Sequence, residues 1–478
     1  MTARRLARAI VVLGLLVATV ALARPGGGHS YSGGGGGHSS GGGSYSSHSS
    51  GGGSGDAGDI GLIVAIFIVW LIVAGIGKLN KDLRFDSTPA ARPPPPNPFA
   101  VSVAQMHEVD PDFSIAVFED FAYQLYAAAQ GARADAARLA ALAPYLSPYA
   151  SANLAARGGA VAHVAIGSLA IEGTQRLTDV LVLGVRIEAN HVLDANQTRF
   201  VIEHWQFRRA IGVRTQAPER TRTWPCPQCG APWAARLGDP FVCDHCGAAV
   251  SAGKFDWAVD QIWIESEEAV GPTLTGTVEE VGTDLPTIMH PESAALWAAI
   301  GADPGVTWES FTARIAMIYA RLNDAWNARE LAPARGLATG AMLDYLTYWT
   351  TQYLREGLTN HLDAATVSNI VLAKVRRDTY FDAVTVRIFA SGLDYTTDAK
   401  GKVVGGSNKH PRAYSEYWTF LRSSTRRGPI VTTPACPNCG APLAIADTGA
   451  CTHCAAIVDN GSFDWVLSKI EQDEAYRG

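Results

Sequence analysis

The sequence predicts an α+β protein built from two repeated domains, each a group of helices followed by an antiparallel sheet with a four-cysteine zinc ribbon inserted. Three observations predict this class. Short motifs recur in the same order about 210 residues apart, a helical stripe precedes long β-branched runs in both copies, and all eight cysteines fall into two sets of four. A predicted signal peptide and one predicted transmembrane helix precede the repeats.

Residues 1–23 have the three parts of a secretory signal peptide. Three arginines precede an apolar run from Ala9 to Leu22, and the run ends in a small-x-small cleavage pattern. An uncleaved first transmembrane helix is the alternative.

Residues 24–58 are rich in Gly, Ser and His, and they hold too few apolar side chains to offset the entropy of ordering. We expect them to form a flexible tether.

Residues 60–77 contain an uncharged run, IGLIVAIFIVWLIVAGI, that is long enough to span a bilayer as a helix. Acidic residues precede the run and basic residues follow it, namely Asp56 and Asp59 before it and Lys78, Lys81 and Arg84 after it. Because a basic flank tends to stay in the cytoplasm, the sequence predicts a single-pass protein of the inner (plasma) membrane with its later domains in the cytoplasm. Residues 78–100, basic and then Pro-rich, form a spacer.

The charge of the later part of the chain argues against one class of partner. Residues 1–99 hold 8 Lys/Arg and 4 Asp/Glu, so 31 Lys/Arg and 41 Asp/Glu remain from residue 100 onward. Domains that bind nucleic acid through its phosphates usually carry a basic excess. The sequence therefore predicts no nucleic-acid partner.

Three motifs define the repeat. Residues 203–207 (EHWQF) recur at 416–420 (EYWTF), 226–232 (CPQCGAP) recur at 436–442 (CPNCGAP), and 255–257 (FDW) recur at 463–465. We interpret residues 101–265 and 301–475 as two copies of one domain, joined by a linker over 266–300. Their zinc ribbons occupy 224–250 and 434–458; in each copy the ribbon contains the second motif and lies between the first motif and the third.

Each copy begins with a helical pattern. In the first copy Asp110-Pro111 predicts a helix start, and a stripe at helical spacing follows with Ile115, Phe118, Ala122, Leu125 and Ala129. An alanine-rich second helix from about Ala132 is interrupted by Pro144 and Pro148. In the second copy the stripe runs through Phe311, Ile315, Ile318, Leu322 and Trp326.

Runs of β-branched residues follow the helices. They predict strands at 161–171, 180–192 and 200–211 in the first copy, and at 364–374, 380–391 and 413–422 in the second. Helices first and an antiparallel sheet afterwards indicate an α+β sandwich with the helices on one face. Glu203, Trp205 and Phe207 alternate along one strand face, as do Glu416, Trp418 and Phe420, and we interpret the tryptophans and phenylalanines as core.

The cysteines form two sets of paired C-x-x-C turns, Cys226, Cys229, Cys243 and Cys246 in the first copy and Cys436, Cys439, Cys451 and Cys454 in the second. The pairs are 13 residues apart in the first set and 11 in the second. Two such turns can close a tetrahedron of thiolates around zinc. Four protein ligands leave no open position, so the predicted zinc ions are structural. Glycine follows three of the four pairs, and Ala455 follows the fourth.

Other interpretations of the cysteines remain. Disulfides suit an exported domain, but the predicted orientation puts these residues in a reducing compartment. Redox dithiol chemistry does not need a second pair at ribbon spacing, and iron in a four-thiolate site is a further alternative. His245 and His453 lie within the knuckles, and we expect them to be bystanders because four thiolates already fill the coordination sphere.

Arginines cluster beside the ribbons. They are Arg208, Arg209, Arg214, Arg220 and Arg222 in the first copy and Arg422, Arg426 and Arg427 in the second. On an acidic domain they predict a contact face for acidic proteins or lipid headgroups. The alternative is a solvated hairpin made soluble by arginine.

The motifs also carry a family resemblance. Glu-x-Trp-x-Phe followed by Arg209 or Arg422, a long-stranded sheet and the closing Phe-Asp-Trp resemble the Tim-44-like domain over roughly residues 100–265 and 300–475. That family is named after the tether subunit of the mitochondrial inner-membrane import motor, and its fold resembles the nuclear-transport-factor-two cone. The resemblance implies a membrane-associated binding or scaffolding role in protein translocation or membrane-protein assembly. The duplication and the inserted ribbons depart from the family pattern.

Two classes of function follow. The first is a tether that recruits a protein partner, whose identity the sequence leaves open, at the cytoplasmic face of the membrane. The second is an enzyme or small-molecule binder that uses the internal pocket of a cone-shaped fold, where Tyr123, His163 and Asp179 are candidate acid–base groups. The sequence contains no phosphate-binding loop, no His-Glu-x-x-His and no nucleophile elbow. We therefore favour the tether and expect no catalytic residues.

Overall fold

The computed structural model describes residues 103–194, 197–218, 224–236, 239–250, 253–269, 285–446, 449–473, 476 and 478. The predicted signal peptide, Gly-rich segment, transmembrane helix and Pro-rich spacer lie outside this part of the chain. Among the described residues, no helix is both long and apolar enough to cross a membrane. The described residues of both repeats fall within one compact unit.

Four helices open the first repeat, α1 (Val103–Val109), α2 (Ile115–Ala132), α3 (Ala136–Ala140) and α4 (Pro148–Arg157). The predicted helix start at Asp110-Pro111 is wrong. Helix α2 begins at Ile115, where the Ser114 hydroxyl accepts the Val117 N–H at 3.3 Å. The Asp110 side chain is buried instead in a polar network: its Oδ2 accepts hydrogen bonds from Arg209 and Thr215, and its Oδ1 accepts the Asp112 N–H.

The prediction of an alanine-rich helix broken by prolines is confirmed in outline. Pro148 does not merely interrupt a helix, because it is the first residue of α4. Proline is well placed there, since the first helical position needs no backbone N–H donor. The Ser147 hydroxyl accepts the Ala150 N–H at 3.1 Å and caps the new helix.

The first sheet is an antiparallel meander in the order β1 (His163–Arg176), β2 (Val180–Asp194), β3 (Gln197–Ala210) and β6 (Ala258–Ala269). The short strands β4 (Ala235–Arg236) and β5 (Asp239–Cys243) pair with each other between β3 and β6. The ribbon is therefore inserted between the last two strands of the sheet.

The second repeat contains α5 (Ser293–Ile300), α6 (Trp308–Ala328), a 3₁₀ turn (Ala332–Ala334) and α7 (Gly340–Arg355). Its antiparallel sheet has the order β7 (Leu358–Arg377), β8 (Phe381–Asp398), β10 (Arg412–Ser423) and β11 (Val466–Gln472), while β9 (Val403–Gly406) pairs with β8. Helix α5 lies where the sequence predicted a linker. The second ribbon again separates the last two strands.

Helices and sheet enclose a core in each repeat. Trp205, Phe207, Trp418 and Phe420 are at most 1% exposed and face the helices, so the interpretation of these positions as core is confirmed. The molecule is thus of the mixed α+β class with two antiparallel sheets.

The two repeats are in contact. The core of the second repeat includes Ala165 and Val192 of the first. The Tyr380 hydroxyl donates to the Thr215 carbonyl at 2.9 Å, and Lys469 Nζ lies 3.9 Å from a Glu119 carboxylate oxygen. The repeats therefore share a packed interface.

Candidate metal centres

The first cysteine set forms a compact cluster beside the β4–β5 hairpin. The four cysteine sulfurs all lie within 4.8 Å of one another, and the Sγ atoms of Cys226 and Cys246 are 3.8 Å apart. Four sulfurs at about 2.3 Å from a central zinc ion would stand about 3.8 Å from one another. The cluster has the size that a tetrahedral metal site requires.

The second cysteine set repeats this geometry. Its four sulfurs also lie within 4.8 Å of one another, and Cys436 Sγ is 3.9 Å from Cys454 Sγ. All eight cysteines are free thiols, and the S–S distance in a disulfide would be about 2.05 Å. Both clusters could therefore hold a metal ion by four sulfur ligands.

Backbone hydrogen bonds shape each C-x-x-C turn. The N–H of Gly230 donates to the Cys226 carbonyl at 2.8 Å, and the N–H of Ala455 donates to the Cys451 carbonyl at the same distance. The residue that follows each pair has a positive φ, which is 73° at Gly230 and 59° at Ala455. Ala455 thus adopts the left-handed conformation that glycine takes in the other three turns, at a steric cost for its Cβ.

The clusters are half buried. Cys226, Cys243, Cys436 and Cys451 are at most 2% exposed, while the second cysteine of each pair is exposed or partly exposed. Apolar side chains pack with the buried cysteines, namely Val250 and Trp233 in the first ribbon and Val458 and Ile445 in the second. Neither His245 nor His453 belongs to a ligand cluster.

Burial and hydrogen bonding move the thiol pKa values in opposite directions. Burial raises the pKa of Cys226 to about 12 and that of Cys436 to about 11. The backbone N–H of Ala456 and the Asn438 side chain, whose Nδ2 is 3.4 Å from the sulfur, lower the pKa of Cys454 to about 6. A metal ion binds thiolates, so it must displace protons from the buried members of each set.

The ribbons pack against their own repeats. In the first, the Tyr145 hydroxyl donates to the Pro225 carbonyl at 2.9 Å. In the second, Leu443 packs on the repeat's core, and a Cβ added to Gly336 would lie only 3.0 Å from Ile445 Cγ1. The predicted hairpin is therefore supported at its base by the helix layer.

The Glu-x-Trp-x-Phe motif of each repeat contains a hydrogen bond between its indole and its carboxylate. The Trp205 indole donates to Glu203 at 2.7 Å, and the Trp418 indole donates to Glu416 at 2.9 Å. Arg157 also pairs with the buried Glu203 carboxylate at 2.5 Å. These carboxylates are structural partners of buried tryptophans.

The predicted arginine face needs correction. Arg209 and Arg422 are 1% and 2% exposed, because each guanidinium stacks on the tryptophan of the Phe-Asp-Trp motif. The remaining described arginines have local partners: Arg208 with Asp260, Arg214 with Asp112, Arg426 with the Phe463 carbonyl and Arg427 with the Ser424 carbonyl. Arg220 and Arg222 lie outside the described residues. Arg209 and Arg422 cannot belong to a contact surface.

The three acid–base candidates do not form one site. Tyr123 lines a cleft of about 470 Å³ between the repeats, and burial holds its pKa well above the usual value. The His163 ring lies beside Tyr348, with ring centroids 6.5 Å apart. Asp179 is exposed in the turn between β1 and β2. The polar residues on the floor of the cleft were not anticipated, although Lys374 ends the strand predicted at 364–374; Arg376 lies beyond that prediction, on the observed β7.

Fold and clusters define a class: an α+β protein with two helix-covered antiparallel sheets and a tetracysteine hairpin between the last two strands of each. Residues 293–430 match the model of the Tim44-like domain family. The matched range begins at α5 and ends before Cys436, so it covers most of the second repeat without its cysteine cluster. Among curated proteins, none matches this chain.

Proposed function

We propose that this chain is a membrane-anchored tether that binds protein partners at the cytoplasmic face of the inner membrane, in protein translocation or membrane-protein assembly. The observation that carries the proposal is the match of residues 293–430 to the Tim44-like domain. Anchoring rests on the apolar run at 60–77 and on its basic C-terminal flank.

The first repeat is, in this proposal, a second Tim44-like domain. Support comes from the strand order, which is the same antiparallel meander in both sheets. It also comes from the equivalent indole-to-carboxylate hydrogen bonds of Trp205 and Trp418. A tether with two such domains presents two sets of surfaces to its partners.

Each cysteine cluster would hold one zinc ion. Cys226, Cys229, Cys243 and Cys246 would bind the first, and Cys436, Cys439, Cys451 and Cys454 the second. With all four positions occupied by sulfur, zinc would contribute folding energy rather than catalysis. The ribbon cores are too small to fold without such a contribution, since each buries only a few apolar side chains.

In-cell photocrosslinking of the full chain tests the tether. A photoreactive residue would replace Trp263, which is 46% exposed in the first repeat, or Leu354, which is 54% exposed in the second. The control carries the same probe in a chain whose residues 60–77 are replaced by a polar spacer of equal length. We expect adducts with specific cytoplasmic or inner-membrane proteins that decrease strongly in the control.

Other results would overturn the proposal. Adducts with exported proteins alone would invert the predicted topology. Equal capture by the anchored chain and the control would reject the role of the membrane, and an absence of adducts from both positions would reject protein tethering.

A further inference from the structure

A cleft of about 470 Å³ separates the second sheet from helix α2 and strand β1 of the first repeat. Side chains alternate between the two faces of a strand. Trp418 and Phe420 point into the helix-covered core, so Thr419 between them points to the opposite face. That opposite face is the floor of the cleft, and it is available to a ligand that enters between the repeats.

One row of polar side chains crosses the whole floor. Lys374 on β7 is directly opposite Thr385 on β8, Thr385 is opposite Thr419 on β10, and Thr419 is opposite Lys469 on β11. All four residues line the cleft. Adjacent strands are about 4.8 Å apart, so the row places two hydroxyls between two ammonium groups.

The two hydroxyls leave a donor to spare. The Oγ1 atoms of Thr385 and Thr419 are 2.8 Å apart, and one of them donates to the other. Each threonine carries one O–H proton, so the pair uses one of its two protons internally. The second proton can be donated to an acceptor in the cleft.

Three basic and four acidic side chains line the cleft, and their direct contacts differ; they are Lys374, Arg376 and Lys469, and Glu119, Asp120, Asp378 and Glu471. Lys469 lies 3.9 Å from Glu119, and Asp378 accepts the N–H groups of Tyr380 and Phe381, each at 2.8 Å. By contrast, among the described residues no carboxylate oxygen lies within 4.0 Å of the Lys374 or Arg376 side-chain nitrogens. Lys374 and Arg376 therefore lack the direct carboxylate contact that Lys469 makes with Glu119.

Lys374 is partly withdrawn from water. Burial lowers its pKa to about 8; the positive charges of Arg376 and Lys469 act in the same direction, and the negative charges of Glu471 and Glu119 oppose them. A bound anion would supply the favourable interaction that the ammonium group loses on burial.

We propose that the cleft between the repeats binds a small soluble oxyanion, the phosphate or carboxylate group of a low-molecular-weight ligand, through Lys374 and the Thr385–Thr419 hydroxyl pair. Lys374 supplies the countercharge, and the hydroxyl pair supplies a hydrogen-bond donor. Because residues of both repeats line the cleft, occupancy would also bridge them. This site is separate from the cysteine clusters and from protein tethering.

Differential labelling of the full chain tests this site. Lysines would be acylated in inorganic phosphate, in citrate, or in sodium chloride of equal ionic strength, and modification at each position would be measured by peptide mass spectrometry. We expect phosphate or citrate to slow modification of Lys374 at least fivefold and to leave the exposed Lys400 unchanged. Equal slowing at both lysines, no protection by either probe, or protection by anionic phospholipid vesicles alone would overturn the proposal.

Variants give an independent measurement by calorimetric titration of the better probe. Lys374→Gln should weaken binding at least tenfold, and the double variant Thr385→Val, Thr419→Val should weaken it severalfold while conserving side-chain volume. Lys400→Gln is the matched control and should bind as the original chain does. Far-UV circular dichroism checks that each variant is folded. Unchanged affinity in both folded cleft variants would contradict the assignment.

Discussion

The guanidinium carbon of Arg209 lies 4.4 Å from the centroid of the Trp257 indole ring. Arg209 comes from the end of β3, and Trp257 comes from the motif that closes the ribbon insertion. The Arg209 Nη2 also donates a hydrogen bond to the Asp110 carboxylate at 2.6 Å. In the second repeat the Arg422 guanidinium lies 4.9 Å from the Trp465 ring. The two chain segments that enter and leave each ribbon are thus held together by an arginine–tryptophan contact.

Replacing this arginine should destabilise the first repeat. Arg209→Met leaves the buried Asp110 carboxylate without its charged partner, and we expect a loss of about 3–5 kcal/mol in the free energy of unfolding. Urea unfolding followed by circular dichroism measures it. Arg208→Met is the matched control, because Arg208 is partly exposed and pairs with Asp260. It should cost less than about 1 kcal/mol, and equal losses in the two variants would contradict the structural role of Arg209.

Metal content should follow the cysteine sets. We expect two zinc equivalents in the purified full chain and one after the double substitution Cys226→Ser, Cys229→Ser, because each set supplies all four ligands of its own ion. Elemental analysis by mass spectrometry measures this, and it distinguishes zinc from iron. Eight reactive thiols should appear after denaturation with chelator and without reductant. Loss of both equivalents in the variant would mean that the ribbons are not separate sites.

The strained backbone of Ala455 should lower the stability of the metal-bound second cluster relative to a chain with glycine at this position. Its φ of 59° is unfavourable for a residue with a Cβ, whereas Gly440 takes a φ of 73° in the matching turn. Ala455→Gly should therefore slow the loss of metal to a chelator, by up to about fivefold if the strain is about 1 kcal/mol.

The reverse change at Gly440 is the control. A Cβ there would meet no atom within 4 Å, so Gly440→Ala adds backbone strain without a clash. It should accelerate metal release, measured by the same colorimetric chelator assay. Effects of the same sign in the two variants would show that φ does not control retention.

The first repeat should lose stability in mild acid through His191. Its Nε2 is 2.8 Å from the Tyr126 hydroxyl, and burial lowers its pKa to about 3. The unfolded pKa is about 6.5, so the unfolded state binds the proton first. This contribution to stability is complete above pH 6.5 and decreases between pH 6.5 and 3, by about 1.4 kcal/mol per pH unit.

Substitution of His191 measures its own contribution to the pH dependence of stability. Between pH 7 and pH 5, His191→Gln should lose about 2 kcal/mol less unfolding free energy than the original chain, measured by urea titration at each pH. His410→Gln changes an exposed histidine and should leave the pH dependence unaltered. If His191→Gln and the original chain lose the same amount, His191 does not titrate on unfolding.

Part of the fold could be predicted because its information is local. The stripe from Phe311 to Trp326 has helical period, and α6 spans Trp308–Ala328. The β-branched runs identified β1, β2 and β3 of the first sheet and β7, β8 and β10 of the second. They did not mark the closing strands β6 and β11, and they underestimated β7, which extends to 20 residues. Helix α2 starts at Ile115 with Ser114 as its cap, and Asp110 pairs instead with Arg209, a residue 99 positions away. No local sequence pattern predicts such a distant ion pair.

By itself, the sequence determined the sorting of eight cysteines into two sets, the order of helices and strands, and the tryptophans that fill each core. These properties depend on spacing and periodicity within short segments. Only the tertiary structure decided that Arg209 and Arg422 are buried, that the two repeats are in contact, and that Lys374, Thr385, Thr419 and Lys469 form one row. These properties depend on strand register and on packing between segments far apart in the chain, where one residue of shift would turn every side chain to the other face of the sheet.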